Sequence, residues 1–346
     1  MPPRSPEGRP APSADSTPPV GRHYDVGGRR LMLHRSGAGG PAVIFLPGAG
    51  MVGLDFLNVH QRTAERSTSV VYDRAGTGWS DHADLPRSAR EVTDELQELL
   101  RVADVPAPYL LVGHSLGGAY ARHYAQRFPS EVAALLLVDP AHEDLSAHWP
   151  REVLEAQAQM KDQPMPDFPP EVFTMYRALF EQKFATWPDE VREELIEYHL
   201  GKWRTGVLES GNADDVVYPE LRLGGAIPDV PLITLTAMGI DASQAMGMPE
   251  DVQRRVNEGK RIVNAGLAQL VPRGEHRELP DTGHVWVHID RPDAVLQAIF
   301  DLLERVGGDR GAIAAPAAAT LREVPPGSGR FAYDVSPSTA GAWSRK

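Results

Sequence analysis

Apolar and polar positions along the chain follow two repeats that alternate with each other. Three short runs, Ala42 to Leu46 (AVIFL), Ser69 to Tyr72 (SVVY) and Tyr109 to Val112 (YLLV), are apolar on both faces and end in glycine-rich or polar residues. Such runs suit parallel strands buried on both sides. Between the second and third, Ser88 to Val102 places Val92, Leu96, Leu99 and Leu100 at helical spacing behind a serine, a residue type that caps helix starts. A helix joining two parallel strands makes a βαβ crossover, right-handed as a rule. Leu116 to Phe128 reads as a further helix leading into the strand Val132 to Val138. Leu232 to Leu235 and Asp293 to Arg305 repeat the strand and helix pattern. Upstream, Arg22 to Leu33 holds two short alternating segments around Gly27-Gly28, a hairpin signal. The pattern predicts an α/β protein with an open, mostly parallel twisted sheet and helices on both faces.

One segment breaks the alternation. Residues 143–228 carry ten of the 24 aromatic residues, and Phe173, Tyr176, Phe180, Phe184 and Trp187 fall at steps of three and four, which predicts an inserted helical cap. Helical spacing most often marks residues that pack into a core. The functional reading of the same stripe is that Phe173, Tyr176 and Phe180 roof a substrate pocket. Met160, Met165, Met175 and Trp203 add to an apolar expectation for it. The sheet domain is then expected at 21–142 and 229–306, and the cap at 143–228. A Pro-rich stretch at 1–20 and a low-complexity tail at 307–346 are expected to be poorly ordered.

Charge and composition narrow the classes. A net charge of −12 disfavours nucleic acid and anionic membranes as partners. The absence of cysteine excludes disulfides, thiolate catalysis and cysteine-held metals. No HExxH or comparable spacing suggests a metal, and no Walker or dinucleotide pattern suggests a phosphate cofactor, so neither is expected. Residues 1–20 lack the apolar centre of a secretory signal, and no run of about 18 apolar residues occurs later, which makes a cytoplasmic location the expectation. Oligomeric state is not readable from the chain.

The chemistry concentrates at Gly113-His114-Ser115-Leu116-Gly117, a G-x-S-x-G string set between the strand YLLV and a helical stretch beginning LGGAYARHYA. That context makes the match specific. A sharp strand-to-helix turn holds the serine hydroxyl out over the sheet edge, and the helix N-terminus favours negative charge beside it. A serine needs a neighbouring base. Of the 12 histidines, His284 lies in Pro280-Asp281-Thr282-Gly283-His284, a turn after the expected strand Glu275 to Leu279, where open sheets place their sites. His114 adjoins the serine but should point away from it, and His288 reads as a packing residue. Asp73 and Arg74 are expected to hold their loop by mutual hydrogen bonds, with Trp79 packed beneath.

The runs LPGAG at 46–50, YDRAGTGWSD at 72–81, GHSLGG at 113–118, LLLVDPAHED at 135–144 and DTGHVWVHIDRPDAV at 281–295 together resemble the α/β-hydrolase superfamily over residues 21–306. The resemblance implies an oxyanion hole from the backbone N–H groups of Leu116 and Ala49. It also implies an acid partner for His284, for which two positions stand open. Asp139 ends the strand after the nucleophile helix, where some lipases of the superfamily place their acid; Asp241 follows the penultimate strand, the commoner place. Asp139 is the first choice, and Asp281 and Asp144 trail both.

The leading expectation is a serine hydrolase of the esterase kind that cleaves an apolar carboxylic ester through an acyl-enzyme on Ser115. The same residues could serve carbon–carbon bond hydrolysis or cofactor-free perhydrolysis. A binding module that has lost activity is the reading from another class. Epoxide hydrolysis and dehalogenation use a carboxylate where this chain has Ser115.

Overall fold

A computed structural model describes residues 16–161, 165, 167–241 and 248–309; the side chains of 160, 161, 308 and 309 are not described. Strands β1 (Arg22–Val26) and β2 (Arg29–Ser36) form the expected hairpin about Gly27-Gly28. Strands β3 (Ala42–Leu46), β4 (Ser69–Tyr72), β5 (Tyr109–His114), β6 (Val132–Val138), β7 (Leu232–Ala237) and β8 (Gly274–Leu279) complete one eight-stranded sheet in the order β1-β2-β4-β3-β5-β6-β7-β8. Only the pairings of β1 with β2 and of β2 with β4 are antiparallel.

Side-chain alternation assigns the two faces of the sheet. Ile44, Leu46, Leu111, Leu135 and Leu137 join one core with helices α2 (Ala89–Val102) and α3 (Leu116–Arg127). Val43, Phe45, Leu110, Val112, Leu136 and Val138 join the other, with α1 (Leu57–Ala64) and the C-terminal helix Pro292–Asp309. Covering both faces explains why every residue of β3, β4 and β5 is buried. Ser88 caps α2 in a capping box: its hydroxyl accepts from Glu91 N–H, and the Glu91 carboxylate accepts from Ser88 N–H.

Between β6 and β7 the chain forms α4 (Arg151–Lys161), α5 (Pro170–Lys183), α6 (Asp189–Asn212), a π turn at Ala213–Val217 and α7 (Tyr218–Leu223). Phe184, Trp187, Val191, Leu195 and Ile196 pack with Val52, Leu54 and Trp79 of the sheet domain. Trp187 Nε1 donates to Leu54 O at 2.9 Å. Past β7 come α8 (Glu250–Ala268), which the sequence pattern did not mark, then α9 (Val287–Asp290) and α10 (Pro292–Asp309). No helix among the described residues is long and apolar enough to cross a membrane.

Two expected boundaries shift. Pro18 is buried and Val20 packs against the cluster under the helical segment, so 16–20 belong with the folded chain. At the other end α10 runs to Asp309, past the expected limit of 306. Residues 1–15 and 310–346, most of both expected tails, lie outside the described residues.

Several histidines are folded into the interior, and this gives stability a pH dependence. Burial, before any neighbouring charge, pushes His60 down to about 3 and His114, His123 and His142 down to about 4, and holds His288 well below the usual imidazole range. The unfolded chain therefore takes up protons on these rings below about pH 6.5 while the folded chain does not. Stability is greatest above that value and is lost as pH falls through it. The urea midpoint is expected to be clearly lower at about pH 5 than at about pH 7.5; an equal or higher midpoint at the lower pH would contradict this burial of neutral rings.

Candidate active site

Ser115, His284 and Asp139 meet where parallel strands end. Ser115 lies between β5 and α3 with φ +52° and ψ −124°, a conformation a non-glycine residue seldom adopts. The turn is tight enough to need glycine on either side. A Cβ on Gly117 would lie 2.0 Å from Leu46 O, and one on Gly113 would lie 2.5 Å from Gly117 O. The backbone closes the turn through Ser115 N–H donating to Val138 O, and Gly118 and Ala141 N–H donating to Ser115 O.

His284 lies in the loop after β8. Its Nε2 is 3.0 Å from Ser115 Oγ, and its Nδ1 is 2.6 Å from Asp139 Oδ2. An ionised carboxylate only accepts, so Nδ1 carries the proton and Nε2 presents a lone pair to the serine hydroxyl. Asp139 is fully buried at the end of β6. Its Oδ1 accepts from Ala237 N–H at 3.1 Å, and its Oδ2 also accepts from Lys260 Nζ at 2.7 Å. Burial alone would raise its pKa. The Lys260 charge and the His284 hydrogen bond outweigh it and hold the carboxyl below the ordinary carboxylate range.

The other carboxylates stand elsewhere. Asp241 Oδ2 accepts from Val285 N–H at 2.8 Å, which fixes the backbone next to His284 and not its ring. The space for this is made at position 283, where a Cβ would lie 2.6 Å from Asp241 Cα. Asp281 pairs with Arg291, and Asp144 with Arg222. His114 turns away from the serine, and its Nε2 donates to His284 O at 2.8 Å. His288 is buried and stacks on Phe56.

Ala49 and Leu116 face the same space as Ser115. Leu116 opens α3, so its N–H has no acceptor within the helix. The loop that carries Ala49 is held by a buried ion pair. Arg74 Nη1 donates to Pro47 O at 2.6 Å and Nη2 to Gly48 O at 2.7 Å, while Glu209 Oε2 accepts from Arg74 Nη2 at 2.9 Å and from Gly50 N–H at 2.7 Å. Asp73 and Arg74 do not bond each other, contrary to the expectation from sequence. Asp73 accepts from Gly53 and Trp79 N–H, one on each side of the loop, because the two side chains diverge after β4. Trp79 is buried as expected.

Helix α6 crosses the Ala49 loop at Gly206, whose Cβ would lie 3.3 Å from Gly50 Cα. Space opens on both sides of the crossing. A cavity of about 170 Å³ holds Ser115 and is walled by Leu116, Ala141, Leu145, Trp149 and Tyr218, with His142, Gln157 and Asp214 as polar members. A second cavity, of about 240 Å³, lies on the Val285 side, between Tyr176, Phe180, Trp203 and Trp286, with Lys202 at a kink in α6. The aromatic expectation is corrected here. Tyr176 and Phe180 line only the second cavity, Phe173 lines neither and packs into the core of the segment, and Met175 is exposed. Spacing places residues on one helix face, but it does not say how far along the helix a cavity reaches. Of the methionines, Met165 lines neither cavity, and the Met160 side chain lies outside the described residues.

Lys260 and Glu209 were missed by sequence reasoning. Each is a charged residue in phase with the buried face of a helix, an anomaly visible only once α8 and α6 are recognised. Among the described residues no group of three or more His, Asp or Glu side chains is placed to hold a metal ion.

Comparisons with known proteins identify the family and the fold. A model of the "Alpha/beta hydrolase family" matches residues 43–298, and the chain belongs to that family. An uncharacterized protein of Mycobacterium tuberculosis is 34% identical over 127 residues, which are 37% of this chain and 37% of that protein. The chain thus matches little more than a third of that curated relative's length. Among solved structures, a thermophilic esterase from Thermogutta terrifontis superposes with a TM-score of 0.54 at 19% identity, over 82% of this chain and 97% of that one. An enol-lactonase from Burkholderia xenovorans gives 0.55 at 18%, over 82% and 99%. At these identities the two structures show a common fold.

The buried pair yields a prediction. Glu209→Ala would strand the Arg74 charge and free Gly50 N–H, so unfolding free energy should fall by about 3 to 5 kcal/mol. Denaturation that leaves the midpoint within experimental error would show that the pair does not hold this loop.

Proposed function

We propose that this family member is a serine hydrolase that cleaves carboxylic esters through an acyl-enzyme on Ser115. The observation that carries the reading is the unbroken line from Asp139 through His284 to Ser115 Oγ, at 2.6 and 3.0 Å, beside a cavity faced by Ala49 and Leu116. His284 takes the serine proton as Oγ attacks the ester carbonyl, and Asp139 holds the ring in the tautomer this needs and offsets the imidazolium charge. The carbonyl oxygen becomes an oxyanion within reach of the Leu116 and Ala49 N–H groups. Each preset donor contributes about 3 kcal/mol to lowering such a barrier. His284 then returns the proton to the departing alcohol, and water repeats the sequence on the acyl-enzyme to release the acid.

The small cavity at Ser115 and its apolar walls favour a short, uncharged acyl group. This substrate class is part of the proposal, as is residence in the cytoplasm. The helical segment between β6 and β7 is proposed to act as a cap, since it supplies Trp149, Gln157, Asp214 and Tyr218 to that cavity. Ser115 at the turn sets aside epoxide opening and dehalogenation through an alkyl ester, which need a carboxylate there.

A panel of nitrophenyl esters tests the reading. Uncharged short-chain esters should be turned over with higher kcat/KM than charged esters of equal size. Ser115→Ala should lower kcat by about a thousandfold or more, and Asp139→Asn by a comparable factor. Asp241→Asn, which keeps an oxygen to accept from Val285 N–H and removes only the charge, should cost about tenfold or less. A larger loss from Asp241→Asn than from Asp139→Asn would reassign the acid, and full activity in Ser115→Ala would overturn the mechanism.

A further inference from the structure

Helix α8 lies across β7 and turns a row of polar side chains toward the end of that strand. Gln253 Oε1 accepts from Asp241 N–H, Asn257 Nδ2 donates to Gly239 O, and Asn264 Nδ2 donates to Thr236 Oγ1. The row repeats at steps of four, three and four, so its members share one face of the helix. Lys260 is its single charged member. Its side chain is 9% exposed, and its ammonium donates to Ala237 O at 2.8 Å and to Asp139 Oδ2 at 2.7 Å. That oxygen is the one that accepts from His284 Nδ1.

A neutral donor would serve as well for the backbone oxygen, as Asn257 does one turn earlier. What the lysine adds is a full positive charge on the carboxylate that the imidazolium must rely on. We propose that Lys260 is a positioning residue that sets the acid limit of the enzyme: its charge partly neutralises Asp139, so that His284 gives up its proton more readily and stays available as a base at lower pH. The inference rests on the reading of His284 as the general base. The cost is weaker support for the imidazolium during reaction, and the gain is a larger fraction of enzyme in the reactive protonation state in mildly acidic solution.

The surroundings leave few other sources for such an effect. Around the His284 ring and its loop stand Ser115 after β5, His114 at the end of β5, Asp139 at the end of β6, Asp241 after β7, Lys260 on α8 and His288 on α9. His114 is pushed down to about 4 by burial and then by the His284 charge, and burial holds His288 well below the usual imidazole range. Burial thus keeps both rings neutral where an ordinary imidazole would titrate. Asp139 stays ionised while an ordinary imidazole titrates, and the Asp241 carboxylate reaches Val285 N–H and not the His284 ring. Lys260 is the cation in direct contact with the carboxylate that carries His284.

The test follows the His284 ring itself by nitrogen NMR of full-length protein labelled at histidine, with His284→Asn to assign the signal. Lys260→Gln keeps a hydrogen-bond donor and removes the charge; Lys260→Met removes both. The proposal expects His284 to titrate about one pH unit higher in both variants than in the native protein, and the acid limb of kcat/KM to move up with it. If Lys260→Met does not fold, Lys260→Gln decides alone. A His284 titration unchanged in Lys260→Gln overturns the proposal, because a structural clamp would alter stability without moving the ring. The NMR result does not depend on turnover, so an enzyme that hydrolyses no ester would defeat the functional reading while the titration still decides the role of Lys260.

Discussion

The closeness of α3 to the end of β3 is the constraint on which the rest of the site depends. With Leu46 O only 2.0 Å from where a Cβ at position 117 would lie, no other residue lets the helix begin there. The serine ahead of it is forced to a positive φ of 52°. That strain is offset by the closed turn and the fully packed strands on either side. It has two consequences that a relaxed loop could not give. The hydroxyl projects beyond the sheet, and the first N–H of α3 is brought beside the loop that carries Ala49.

Buried charge does the remaining work of alignment, in two separate places. Arg74 and Glu209 fix the Ala49 loop by gripping two of its carbonyls and one N–H, and they tie that loop to α6. Lys260 and the Ala237 N–H fix the Asp139 carboxylate, which in turn fixes His284. Burying ions is costly, and both clusters are satisfied by hydrogen bonds on nearly every side, which is the condition under which such pairs persist. In the proposed mechanism one cluster governs where an oxyanion would be received and the other governs the base. They meet only at Ser115.

The strands and the site's local motifs were legible because they are written in contiguous residues. AVIFL, SVVY and VAALLLV became strands with the limits read from their patterning, and the turn around Ser115 follows from two glycines and a helix start. The juxtaposition of His284 with Asp139 spans 145 residues, and it was anticipated through family resemblance, with Asp241 left open beside it. Geometry separates the two: one carboxylate meets the ring, the other the neighbouring backbone. Lys260, Glu209 and the walls of the Ser115 cavity were not legible, since a lysine in a surface-like helical sequence gives no sign of what lies opposite it. The assumption that Asp73 and Arg74 pair failed for the same reason, because neighbours in sequence can serve different loops.

The central claim is that Ser115 is an activated nucleophile, and the most direct measurement is labelling by a fluorophosphonate followed by intact mass and peptide mapping. The account predicts one equivalent of label on Ser115, none on Ser115→Ala, and much slower labelling of His284→Asn. A native, folded protein that takes up no label, or takes it at another residue, would contradict it.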